Sequence, residues 1–328
     1  LIPVTSLEID PDEPVLDMRP IWAQPTTIEG IQPLRTIAQQ AQAIAAINGG
    51  FFNRNNQLPL GAIRHNGEWI SGPILNRGAI AWTDDGEFQF GSLSLQETLE
   101  TDSGTVVPLK HLNSGYVQAG VSRYTPSWGT SYSPLTDYET IVTIQGDQVI
   151  QQQRFEHAGQ NRVAIPADGY ILAVRSYNSI LESLAVGTQV HLNTATTPES
   201  FATYPEILGA GPLLLQNRQV VLNAQLEQFS DAFIQQKASR SAIGLTDQDH
   251  ILLVTVHNQS DGSGVSLTQM AEIMRNLGTI DALNLDGGSS TTLTLGSRLL
   301  NVNPESVARV NNGIGIFLNL DSEAVETP

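Results

Sequence analysis

The chain has 328 residues, 40% of them hydrophobic and 15% charged, enough for one large domain or two closely packed ones around a buried core. Thirty-three acids against sixteen bases give a formal charge of −17, which argues against a nucleic-acid partner or an anionic membrane surface. The absence of cysteine excludes disulfides, zinc-thiolate sites and thiol nucleophiles.

Only Lys110 and Lys237 are lysines; the other bases are arginines, which grip phosphate or carboxylate in two-point fashion. The chain begins at LIPVTSLEID, without a methionine, a signal peptide or a membrane span. Export, to the periplasm or outside the cell, with the signal removed, is the expectation. The Asn258-Gln259-Ser260 sequon matters only in a secretory eukaryotic host.

Residues 1–32 read as an N-terminal extension. From Pro33, PLRTIAQQAQAIAAINGGFFN predicts a short helix running into a strand that stops at Asn48-Gly49-Gly50. GAIRHNGEWI carries Asn66-Gly67, a pair that favours a tight hairpin, and RGAIAWTDDGEFQFG repeats the strand-turn-strand pattern. From 100 to 235 the signal is short strands: TIVTIQGDQVIQQ, GYILAVR, TQVHLNT and GPLLLQNRQVV. Within this stretch RYTPSWGTSY concentrates aromatics in a Pro/Gly-rich loop, either a cover over the core or a platform for a sugar ring.

Residues 236–320 read as the motif-bearing core of a domain spanning 33–320. ILLVTV is a continuous apolar strand, and SLTQMAEIMRNLG is a helix with a Ser266/Gln269 capping box and a closing Gly278. Strand ALNL follows, which predicts a strand-helix-strand crossover of right-handed, parallel form. TTLTLGSRLLNV predicts a hairpin turning at Gly296-Ser297, and NNGIGIFLNL a last buried strand. Residues 321–328 are an acidic, frayed tail. The fold class is therefore α+β: mixed, largely antiparallel sheets, a few helices and one crossover near the C-terminus.

Residues 284–292, NLDGGSSTT, raise a chemical question. Alternation sets Leu283 and Leu285 on one strand face, with Asn284 and Asp286 on the other. A carboxylate there, followed by glycines with free N–H groups, is placed to meet substrate; the bland reading is an Asp-Gly turn capped by hydroxyls. Arg240, in ASRSAIGL, precedes an apolar strand, and Arg309, in VARVNNGIGIF, is set on one face with Asn311. The bland reading makes both surface arginines; at the ends of neighbouring segments they are also placed to converge on an anion.

Glu272 falls opposite the apolar stripe of its helix and reads as solvated. Asp261, Glu68 and Asp137 are not distinguished by context. The six histidines, 65, 111, 157, 191, 250 and 257, show no metal-ligand spacing. No cofactor is expected; a calcium site at Asp247 and Asp249 stays open, although two acids in a turn are ordinary surface. No G-x-S-x-G elbow, Walker loop, G-x-G-x-x-G or H-E-x-x-H occurs.

Four stretches together resemble the phosphodiester glycosidase domain family: AAINGGFFN, ASRSAIGL, MAEIMRNLG with ALNLDGGSSTT, and VARVNNGIGIF. YTPSWG and GAGPLLL are similar to pieces of its bacterial members. The resemblance runs from about residue 33 to 318, and Ser289 stands where many members have a third consecutive glycine. The cysteine-rich tail and membrane anchor of the lysosomal member have no match, so its trafficking role is not expected.

The resemblance implies hydrolysis of a sugar 1-phosphodiester, such as that of N-acetylglucosamine, at the anomeric carbon. A phosphomonoester is a good leaving group, so less general-acid help is needed than for an ordinary glycoside. Asp286 would stabilise the oxocarbenium-like transition state, activate water or act as nucleophile, while Arg240 and Arg309 hold the phosphate charge. Asn48, Gly49, Gly50, Asn284, Gly287, Gly288, Ser289, Ser290, Asn311 and Trp128 would line the substrate. Two rivals remain: a non-catalytic glycan-binding module using Tyr124, Trp128 and Tyr132, and a serine hydrolase using Ser289 or Ser290 with His257. Oligomeric state is not legible.

Overall fold

The computed structural model describes residues 2–258, 262–300 and 308–319. Asp261, Asn301 and Val302 of the hairpin segment, and the acidic tail lie outside the described residues.

Four larger sheets and a few short helices build the chain. Among the described residues all strand pairings are antiparallel except one: Val106–Leu112 runs parallel to Gly120–Tyr124 inside a seven-stranded sheet. That sheet is made from residues 94–197, the region of short strands with Gly, Asn and Asp turns. Two five-stranded sheets gather the hairpins 63–71 and 78–92 around Glu206–Gly209, and the strands Leu16–Trp22, Ala45–Asn48, Leu293–Leu295 and Asn312–Leu318 around one another.

The six-stranded sheet carries the C-terminal motifs in the order 4–9, 251–256, 240–246, 279–284, 213–216, 219–220. Strands Ile251–Val256 and Thr279–Asn284 both pair antiparallel with Arg240–Thr246, which lies between them. They consequently point the same way, and helix Leu267–Asn276 spans the gap. That helix starts at the Ser266/Gln269 capping box and buries Leu267, Met270, Ala271 and Met274. Glu272 is on its exposed side and pairs with Arg275. Gly278, at φ +92°, follows the helix end in a conformation that only glycine adopts freely.

Residues 4–22, expected as an extension, supply two paired strands, one edging the six-stranded sheet and one joining Asn312–Leu318. Where the sheets meet, Ile47, Leu283, Leu285, Leu293 and Ile314 are fully buried in one cluster. Burying each such side chain contributes roughly 1.5–3 kcal/mol, which anchors the strand ends on which the glycine-rich motifs sit.

The aromatic loop resolves as a cover over the core. Tyr124, Trp128 and Tyr132 pack on one another, with ring centroids 4.3 Å apart for the two tyrosines and 4.7 Å for Tyr124 with Trp128. Beneath them Arg175 bonds both tyrosine hydroxyls and the buried Glu139 carboxylate. Packing takes up most of the ring surface, and Trp128 keeps 7% of its own exposed.

Candidate active site

Two strand ends from different sheets meet at Asp286. Strand Ala45–Asn48 stops at Asn48, whose side chain is fully buried and fully engaged. Its Nδ2 donates to the Asp286 carbonyl at 2.7 Å, while its Oδ1 accepts from the Ser241 hydroxyl at 2.6 Å and the Thr292 amide at 3.0 Å. The Asp286 amide donates back to the Gly49 carbonyl at 2.9 Å.

The glycines allow this closeness. A Cβ on Gly50 would stand 2.3 Å from the Gly209 carbonyl oxygen, and one on Gly287 2.9 Å from that of Ser239. Their amides are committed inside the protein: Gly49 to Asn312, Gly50 to the Asn312 side chain, Gly287 to the Asp286 carboxylate and Gly288 to Ser239. The expectation that these N–H groups are free for substrate is therefore corrected. They hold the turn in place, because a buried backbone donor without a partner is costly.

Asp286 itself is half-buried. Burial pushes its carboxyl up to about 6, against the opposing pull of the Ser290 hydroxyl, the Gly287 N–H, and the charges of Arg54 and Arg240. Ser290 approaches without completing a hydrogen bond.

Arg240 is 1% exposed, its Nε directed at the Val265 carbonyl, its NH2 bonded to that of Gln236 at 2.6 Å, and its guanidinium over the Phe233 ring. It acts on Asp286 as a charge. Arg309 is exposed on the short strand Arg309–Val310, opposite Pro33, and is not among the charges that act on Asp286. The alternation argument failed there because that strand ends at Val310. Asn311 turns inward instead, its Nδ2 donating to the carbonyls of Ile28, Gly30 and Gln57. Arg54 supplies the second cation: it donates to the Ser289 hydroxyl at 2.9 Å. Nothing marked it in sequence except its place directly after the NGGFFN strand end.

Asn284, expected beside Asp286, is buried, and its Nδ2 serves the Gly211 and Leu285 carbonyls. Ser289 is exposed at the turn and bonded to Arg54 rather than to a histidine. Asp247 is paired with Arg218 at 2.7 Å, so it is spoken for on the surface.

A half-buried carboxylate with a raised pKa at a strand end, under the charges of Arg54 and Arg240, is a candidate functional site. The phosphodiester glycosidase family model matches residues 138–317, more than half of the chain, and the protein belongs to that family. N-acetylglucosamine-1-phosphodiester alpha-N-acetylglucosaminidase of Mus musculus is 33% identical over 67 residues, 20% of this chain and 13% of the relative. The Bos taurus enzyme of the same name is 27% identical over 105 residues, 29% of this chain and 20% of its own.

The crystal structure of a hypothetical protein from Synechocystis superposes with a TM-score of 0.94 at 51% identity, over 97% of this chain and 59% of that one. A Burkholderia pseudomallei structure, described as a candidate exported protein, has the same fold, with a TM-score of 0.78 at 18% identity over 96% of this chain and 73% of its own. Among the described residues no helix is long and apolar enough to cross a membrane.

Proposed function

We infer that this protein hydrolyses a sugar 1-phosphodiester at the anomeric carbon, of the N-acetylglucosamine-1-phosphodiester type, releasing free sugar and a phosphomonoester. The observation that carries the reading is Asp286: a carboxylate at a strand end, shifted to about 6, with the Arg54 and Arg240 charges beside it. Such a group is ionised at neutral pH yet basic enough to take a proton from water, or it can face the cationic sugar directly. The family assignment supports the bond type, and the relatives' name supports the sugar. The whole chain carries −17, so an anionic substrate needs local positive charge, which the arginines provide. Export belongs to the same proposal, a phosphodiester-linked glycan outside the cell being its natural substrate class.

The test is release of free sugar from methyl N-acetylglucosamine 1-phosphodiester by wild type and by Asp286→Asn of matched folding. Cleavage lost in the variant supports the reading; a variant as active as wild type removes Asp286 from the chemistry. The glycan-module aromatics are buried, and Ser289 has Arg54 for its partner.

A further inference from the structure

Next to the Asp286 turn lies a second feature that the role of Asp286 does not use. An open cleft of about 420 Å³ is lined by Lys237, Ser239, His257, Asn258, Ser289 and Thr291, among others. The register explains its walls. Arg240 pairs with Val256, so Ser239 stands level with His257, while on the other side the Gly288 amide donates to the Ser239 carbonyl at 2.7 Å. Ser239 thus separates His257 from the glycine-rich turn.

Three observations give the cleft its chemistry. Its described lining holds no carboxylate, in a chain with thirty-three acids. Lys237, one of two lysines, stands exposed there with no carboxylate at ion-pair distance among the described residues. Two buried polar atoms of residues that line it, His257 Nε2 and Thr291 Oγ1, lack a hydrogen-bond partner among the described residues, and Thr291 is only 2% exposed. Buried polar atoms are normally satisfied, so these two are short of a partner among the described residues. Burial also lowers the imidazole's proton affinity, so His257 is neutral near pH 7, with one N–H to donate. The rim of the cleft is Ser289, which already holds Arg54.

We propose that this cleft is the phosphate subsite, receiving the phosphoryl group of a substrate whose anomeric carbon sits at Asp286. Lys237 supplies the charge, and His257 and Thr291 supply hydrogen bonds. The proposal rests on the reading of Asp286 given above. Water oxygen bonds to the anomeric carbon as the carbon–oxygen bond to phosphate breaks. The bonding pair goes to the phosphate oxygen, and the proton that water loses passes by way of Asp286 to solvent. The phosphodiester enters with one negative charge and leaves as a phosphomonoester with two. Lys237 therefore meets more charge in the transition state than in the bound substrate, and its effect belongs in kcat.

The test uses inorganic phosphate and methyl phosphate as probes, by titration calorimetry and as inhibitors of diester cleavage. Lys237→Met weakens phosphate binding about tenfold and lowers kcat about 10- to 100-fold, while KM moves less than about threefold. His257→Gln and Thr291→Val each weaken phosphate about threefold or more, and N-acetylglucosamine binding is unchanged in all three. If wild type cleaves the diester but phosphate up to about 50 mM neither binds nor inhibits, or if Lys237→Met keeps full kcat and phosphate affinity, the subsite is overturned and the reading of Asp286 stands. If no diester is cleaved yet phosphate binds in a Lys237-dependent way, the cleft is an anion site only, and both its role in diester cleavage and the reading of Asp286 fall. Absence of both removes both.

Discussion

The Asn48 side chain donates to the Asp286 main-chain carbonyl at 2.7 Å, across 238 residues of sequence, and so ties the end of one sheet to the end of another. The same amide accepts from Ser241 and Thr292, so one buried side chain fixes three segments. Asn48→Ala would strand a carbonyl, a hydroxyl and an amide in the interior. Each unsatisfied group costs about 1–3 kcal/mol, and relaxation recovers part of that. The expected loss is on the order of 2–4 kcal/mol in urea unfolding, with kcat falling alongside because Asp286 loses its support. A change under about 0.5 kcal/mol, the range of ordinary surface substitutions, would show that the strand ends are held by something else.

Trp128 is 7% exposed and wedged against Tyr124 and Tyr132. Trp128→Ala removes most of a buried indole and is expected to destabilise the protein by about 3–5 kcal/mol. Below its lowered melting temperature, KM for the diester is expected to stay within about twofold of wild type, since packing rather than sugar contact is lost. Thermal unfolding with kinetics at low temperature separates the two. A raised KM in a stably folded variant would return the ring to the substrate.

Strand ends and turns were legible in the sequence because they rest on local chemistry. The helix Leu267–Asn276 with its capping box, the hairpin at Asn66-Gly67 and the buried strand Ile251–Val256 are all visible as short-range patterns. Asp286 stood out because a carboxylate at the end of an apolar strand needs a reason. The partners of the motif residues were not legible. Alternation across VARVNN breaks at Asn311, where one short strand stops and another begins, and no periodicity records such a break. The amides of Gly49, Gly50 and Gly288 looked free because their acceptors, Asn312 and Ser239, lie in segments far away in sequence. Arg54 went unremarked because its bond to Ser289 spans 235 residues.

Arg54 and Arg309 now make opposite predictions. Arg54 is exposed, acts on Asp286 as a charge and bonds Ser289; Arg309 is exposed on a strand pair elsewhere. Arg54→Met is expected to lower kcat/KM by about 10- to 100-fold, with stability changed by less than about 0.5 kcal/mol. Arg309→Met is expected to leave kcat/KM within about twofold. Steady-state kinetics on both variants decides it: a severe defect in Arg309→Met alone would mean that the site extends to the short strand and that Arg54 is ordinary surface.

The raised pKa of Asp286 has a consequence for stability that runs against its usefulness. In the unfolded chain an aspartate titrates near 3.9, and in the folded protein this one titrates at about 6. Below about pH 4 both states hold the proton and the group contributes no difference. Between about 4 and 6 the unfolded chain gives up its proton while the folded protein keeps it, so stability falls as pH rises. Above about 6 the penalty is constant. The half-buried carboxylate is partly screened by solvent, which brings the penalty at pH 7 to on the order of 1–2 kcal/mol. Asp286→Asn keeps the acceptor for the Gly287 amide and removes the charge. It is expected to melt higher than wild type at pH 7, by a few degrees, and at the same temperature as wild type at pH 4. Wild-type kcat/KM, in turn, rises with pH to a plateau above about 6, as the carboxylate form accumulates. Calorimetry at the two pH values, set beside the pH–rate profile, checks both halves. A variant that melts lower than wild type at pH 7 would mean that the carboxylate stabilises the fold, with its natural place an ion pair with Arg54 or Arg240.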